Sequence, residues 1–175
     1  GELERILAED ASATPREIME LLNRYIHLTM SRHSMFATGT CMTLDPSRGE
    51  LRWVSAGHPP SILRRADGDV SELETTTMLL GALGPGDFES IEECTTLGPG
   101  DVVIAYTDGA FEARNAAGEQ FGIDRIRGLV TFDTPPRSWS RFLAGAVENH
   151  HGGAADDDVL IASLTLSSLR VERSA

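Results

Sequence analysis

Carboxylates stand at two places where the residue pattern puts the ends of core strands. From Leu97 the chain reads Leu-Gly-Pro-Gly-Asp-Val-Val-Ile-Ala-Tyr-Thr-Asp-Gly-Ala-Phe-Glu-Ala-Arg-Asn115, so an apolar run ends in Asp108-Gly109. Further on, Asp156-Asp157-Asp158 leads directly into a second apolar run, residues 159–166. Carboxylate oxygens at the ends of core strands are what a protein uses to hold hard divalent cations. Each feature also has a plainer reading. Asp108 either caps the following turn with its short side chain or ligates a cation. Three adjacent aspartates repel one another, and beside a core strand they need a cation or an arginine partner. The alternative is a solvated loop, with His150-His-Gly-Gly-Ala-Ala155 as its flexible approach.

Other reactive groups offer less. His58, in Ala56-Gly-His-Pro-Pro60, sits in a break between apolar runs whose prolines restrict the backbone; it either positions a phosphate or serves the turn. The pair His150-His151 lacks a third nitrogen or sulfur ligand at zinc spacing. No Gly-x-Ser-x-Gly occurs, and all 15 residues counted as Lys+Arg are arginine, which excludes Schiff-base chemistry and a P-loop lysine.

The bulk composition bounds the rest. With 175 residues, 41% hydrophobic and 24% charged, the chain reads as a single soluble domain able to bury a core. Its net charge of −12 argues against nucleic acid as a partner. No apolar run reaches membrane-spanning length, and no signal peptide is evident, so no membrane partner and a cytoplasmic location are expected. Cys41 and Cys94 are expected to be buried thiols rather than a disulfide.

The elements that must position these groups follow from the hydrophobic period. Thr14-Pro-Arg-Glu17 is a capping box with proline at the first helical position, and Ile18, Leu21, Leu22, Tyr25 and Leu28 follow at helical spacing. Residues before Asp10 read as the tail of another helix. Residues 36–44 and 51–55 read as a hairpin, followed by strands over 61–65 and 70–73 and a loop over 75–87. Residues 88–97 and 101–107 read as another hairpin across Gly98-Pro99-Gly100, the second strand being central. Helices are predicted over 122–130 and 136–150, a strand over 159–166, and a tail over 167–175. This order indicates α+β, antiparallel sheets covered by helices.

Taken together, the motifs resemble the metal-dependent (PPM, type 2C) serine/threonine phosphatases, in the bacterial branch typified by stage II sporulation protein E and RsbU. The resemblance is carried by Thr14-Pro-Arg-Glu, Phe36-Ala-Thr38, Ala56-Gly-His-Pro-Pro60, residues 79–84, Leu97-Gly-Pro-Gly-Asp101, Tyr106-Thr-Asp-Gly, Glu112-Ala-Arg-Asn115, Phe121-Gly122 and Asp156-Asp-Asp-Val159. It implies a PPM-type αββα sandwich of antiparallel sheets flanked by helices, with two Mn²⁺ or Mg²⁺ ions and a metal-held water that attacks phosphoserine or phosphothreonine directly. Asp108 matches the family's Thr-Asp-Gly ligand. The late ligand aligns with Asp157, with Asp158 and Asp156 beside it, and Leu160 stands where threonine is usual. The resemblance also implies a phosphorylated anti-sigma-factor antagonist as partner, in bacterial partner-switching signalling.

The family's upstream Asp-x-x-Gly motif, whose aspartate bridges both ions, is not found. The chain is therefore expected to be a phosphatase-like domain lacking its N-terminal strands. It is expected to hold at most one divalent ion, weakly, with little activity, and to homodimerise through exposed strand edges. No side chain is assignable as a catalytic residue. The alternatives are a catalytically inactive phosphatase-like interaction module and a metal phosphohydrolase acting on small molecules.

Overall fold

The computed structural model describes residues 13–131, 136–151 and 158–167. The expected helical tail before Asp10, the tail beyond residue 167, and Asp156 and Asp157 lie outside these. The chain divides into two compact units, Gly1–His58 with Thr75–Thr96, and Pro59–Glu74 with Leu97–Ala175.

The first unit is built on helix α1, Pro15–Met30. Thr14 Oγ1 accepts from the Glu17 amide at 3.2 Å and Glu17 Oε2 accepts from the Thr14 amide at 2.8 Å, so the capping box forms as its sequence predicts. Its buried face differs from the predicted one. Ile18, Met19 and Asn23 are buried, whereas Tyr25 and Leu28 are 52% and 64% exposed. Asn23 anchors the buried face: its Oδ1 accepts from the Gly81 amide at 2.8 Å and its Nδ2 donates to Leu83 O at 3.2 Å. With 3.6 residues per turn, Met19, Asn23 and Ile26 fall on one stripe, and Leu28 lies well outside it. Residues 79–84, part of the family resemblance, thus form a loop tied to α1.

Strands β1 (Gly39–Asp45), β2 (Glu50–Ala56) and β5 (Glu93–Thr96) form an antiparallel sheet in the order β1-β2-β5. The β1–β2 hairpin pairs Asp45 with Glu50, and Asp45 Oδ1 accepts from the Ser47 amide at 2.9 Å to set the turn. The strand begins at Gly39 rather than Phe36, which is 49% exposed. Both cysteines are free. Cys41 is half-buried and its thiol is pushed up to about 11 by desolvation and by Glu92; Cys94 is exposed, contrary to expectation, because it lies on the outer strand β5.

The second unit holds β3 (Ser61–Arg64), β4 (Val70–Leu73), β6 (Val102–Tyr106) and β7 (Ile161–Thr165), antiparallel in the order β4-β3-β6-β7. The predicted hairpin between residues 88–97 and 101–107 does not form. Strand β5 pairs with β2, while β6 pairs with β3 and β7, so Gly98-Pro99-Gly100 carries the chain from one sheet to the other. A tight turn between two apolar runs reads the same in sequence whether or not the runs pair. Three helices accompany the second sheet: α2 (Asp108–Glu112), absent from the sequence reading, α3 (Ile123–Val130) and α4 (Trp139–His151). Ile62, Ile104, Tyr106, Ile126, Leu143 and Val147 are among the residues of their common core. Within it, buried Arg64 donates from Nε to Val130 O at 3.0 Å, which places a cation at the C-terminus of α3. Two antiparallel sheets accompanied by helices give the α+β class that the order of elements indicated.

Candidate functional site

Of the carboxylate positions, the structure describes Asp108 and Asp158, and both lie at one end of β6. Val102, Val103, Ile104 and Tyr106 are buried, as expected of a strand flanked on both sides by neighbours. The strand stops at Tyr106; Thr107 keeps extended backbone, and Asp108 opens α2. Asp108 is exposed, and its Oδ1 accepts from the adjacent Gly109 amide at 3.0 Å. Opposite, Tyr106 pairs with Ile161, so β7 brings residues 158–160 alongside Thr107 and Asp108.

Contact between the two segments is close. Thr107 Oγ1 donates to Asp158 O at 3.0 Å and accepts from the Leu160 amide at 3.0 Å, while the Thr107 amide donates to Leu160 O at 3.0 Å. Gly109 is buried, and a Cβ built there would lie 2.6 Å from Asp158 O and 3.0 Å from Asp158 C. A side chain of any kind would force two backbones apart. Asp108 and Asp158 are thus brought together by Thr107 and Gly109, neither of which the sequence reading assigned a role of its own. The available signal was the placement of a hydroxyl and a glycine around an aspartate where a strand gives way to a helix.

The remaining motifs resolve into supports. Asn115 Oδ1 accepts from the Ala117 and Glu119 amides, each at 3.0 Å, and Arg114 donates to Gly118 O at 2.7 Å. Glu112-Ala-Arg-Asn115 therefore shapes a loop. At the other end of β6, Asp101 accepts from the Gly98 amide, Arg65 Nη1 and the Ala66 amide, each at 2.9 Å. Burial alone would raise its carboxyl, but these donors outweigh it and hold Asp101 below the usual carboxylate range. His58 belongs to the first unit. Its carbonyl accepts from Thr75 Oγ1 at 2.7 Å, its Nδ1 lies 3.4 Å from Thr38 Oγ1, and Gly57 before it has φ +59°.

For a divalent cation the donors at the end of β6, the Asp108 carboxylate and the Asp158 carbonyl oxygen, are of the right chemical kind. Among the described residues no group of three or more His, Cys, Asp or Glu side chains is close enough to hold a metal ion. No helix among them is long and apolar enough to cross a membrane.

A family model described as Stage II sporulation protein E (SpoIIE) matches residues 2–167. Protein IcfG of Synechocystis is 29% identical over 130 residues, covering 71% of this chain and 20% of that protein. In three dimensions the chain is similar to the SiaA-PP2C domain of Pseudomonas aeruginosa, with a TM-score of 0.73 and 21% identity over 93% of this chain and 65% of that one. It is also similar to the RsbU and RsbW domains of a Mycobacterium tuberculosis protein, with a TM-score of 0.72 and 24% identity over 94% of this chain and 47% of that one. RsbX, solved in complex with magnesium, has a TM-score of 0.63 and 15% identity over 93% of this chain and 69% of that one. The chain thus spans about a fifth of the curated relative and about two thirds of the SiaA domain.

Proposed function

This chain belongs to the stage II sporulation protein E (SpoIIE) family, and we propose that it serves divalent-metal-dependent hydrolysis of phosphoserine or phosphothreonine on a regulatory protein. The observation that carries the proposal is the junction of β6 and β7, where Thr107 and Gly109 hold the Asp108 segment against Asp158. Asp108 would hold the cation together with Asp157, which the family motif aligns as the late ligand, and with Asp158 or Asp156 beside it. Bound there, Mn²⁺ or Mg²⁺ would neutralise charge on the phosphoryl oxygens and make water a competent nucleophile near neutral pH.

The chain's own contribution is positional. An exposed carboxylate at the end of a buried strand can face a ligand while its backbone stays fixed by the sheet, which is how catalytic groups on rigid scaffolds keep their spacing. His58 is assigned the lesser role of steering a phosphate, or the loop that meets it. The proposed partner is a phosphorylated anti-sigma-factor antagonist in partner-switching signalling within the cytoplasm. A second copy of the chain could add to an outer strand such as β7.

The test is phosphate release from the phosphorylated antagonist by the natural protein containing this chain, with Mn²⁺ and with EDTA. Manganese-dependent release that EDTA stops is the expected result. Antagonist binding without release would identify an interaction module instead, and preferential release from nucleoside monophosphates would identify a small-molecule phosphohydrolase.

A further inference from the structure

We propose that Thr107 is the positioning residue of this carboxylate site, its hydroxyl substituting for its own carbonyl as the last acceptor of the β6–β7 ladder. The inference rests on the functional reading above and adds a residue to it. In an antiparallel pair, facing residues alternate between those that exchange backbone hydrogen bonds and those that do not. The Leu166 amide donates to Asp101 O at 3.2 Å and the Thr107 amide to Leu160 O at 3.0 Å, so both pairs occupy bonded positions of one ladder. Regular geometry would then have the Leu160 amide donate to Thr107 O. Instead that carbonyl is turned to the Ala110 amide, accepting from it at 3.0 Å in the bond that opens α2, and the Leu160 amide goes to the side chain.

The side chain resolves the conflict. Thr107 Oγ1 accepts from the Leu160 amide at 3.0 Å and passes its own hydrogen to Asp158 O at 3.0 Å. One hydroxyl can do both, having one donor and two acceptor lone pairs. It does so at the expense of its usual duty: Thr107 is the N-cap of α2 yet makes no side-chain capping bond. The chain can therefore turn from strand to helix at Asp108 without releasing the neighbouring strand, and Asp158 stays beside Asp108. Gly109 is required by the same closeness. Valine has the shape of threonine but neither accepts nor donates.

The experiment compares wild type, Thr107→Val and Thr107→Ser of the natural protein containing this chain, in amide hydrogen exchange at Leu160 and in Mn²⁺ affinity by electron paramagnetic resonance. Thr107→Val should speed exchange at Leu160 by about tenfold or more and weaken Mn²⁺ binding by about tenfold, while Thr107→Ser stays within about threefold of wild type in both. Unchanged exchange and affinity in Thr107→Val, or a serine variant as impaired as the valine one, would overturn the inference. If wild type binds no Mn²⁺, the functional reading fails, and with it the positioning role; the exchange data then report on the hydrogen bond alone.

Discussion

The two ends of strand β6 each carry an aspartate next to a glycine, and the structure treats them oppositely. Asp101 is 5% exposed and receives donors from Gly98, Arg65 and Ala66, so its charge is satisfied by the protein itself. Asp108 is exposed, and the residue after it, Gly109, lies close to the Asp158 carbonyl. The same residue type thus closes a turn before the strand and presents a carboxylate beyond its end. What separates them is the supply of N–H donors. A buried carboxylate must be hydrogen-bonded to remain charged, whereas an exposed one can keep its oxygens available for a cation.

Three substitutions can break or sharpen this contrast. Gly109→Ala has the largest expected effect, because the added Cβ meets the backbone of Asp158, which cannot rotate away as a flexible side chain would. A loss of about 2–4 kcal/mol in urea denaturation is expected, together with loss of Mn²⁺ binding. An alanine variant with unchanged stability would mean that the two segments do not approach as described.

Asp101→Asn should cost about 1–2 kcal/mol at neutral pH, since it removes a charge that accepts from Arg65 and two amides. Because the folded state holds Asp101 below its unfolded value, its contribution is fully present above about pH 4 and is lost as pH falls through the folded value. The asparagine variant should therefore show a shallower fall in stability under acid, with Mn²⁺ affinity unchanged. A pH–stability curve parallel to wild type would show that Asp101 is not the group responsible.

Asp108→Asn completes the series with the smallest effect on folding, within about 0.5 kcal/mol, as expected of an exposed position. Manganese binding should nevertheless be lost. Weakened folding with retained binding would reverse the roles of the two aspartates.

Much of this was legible in the sequence. The capping box at Thr14, the β1–β2 hairpin, the central position of β6 and the pairing of two acidic segments with two strand ends all follow from short-range rules. The misreadings share a cause. Residues 88–97 and 101–107 carry the pattern of a hairpin, yet β5 and β6 belong to different sheets. The apolar spacing of α1 places Tyr25 and Leu28 inward, yet Asn23 takes that face to bind the loop at Gly81 and Leu83. The short helix α2 has too few residues to leave a periodic signal, so its start at Asp108 was invisible.

Local pattern determined which residues are apolar, where turns are cheap and that carboxylates stand at strand ends, because those properties depend on neighbours a few positions away. Only the tertiary structure decided which strands pair, which aspartate is consumed by donors and which is presented. It also decided that the hydroxyl of Thr107 bonds residues 158 and 160 and that the bare backbone of Gly109 lets the two segments approach. Hydrogen-bond partners more than fifty residues apart, such as Thr107 and Asp158, are chosen by the fold, and no local period records them.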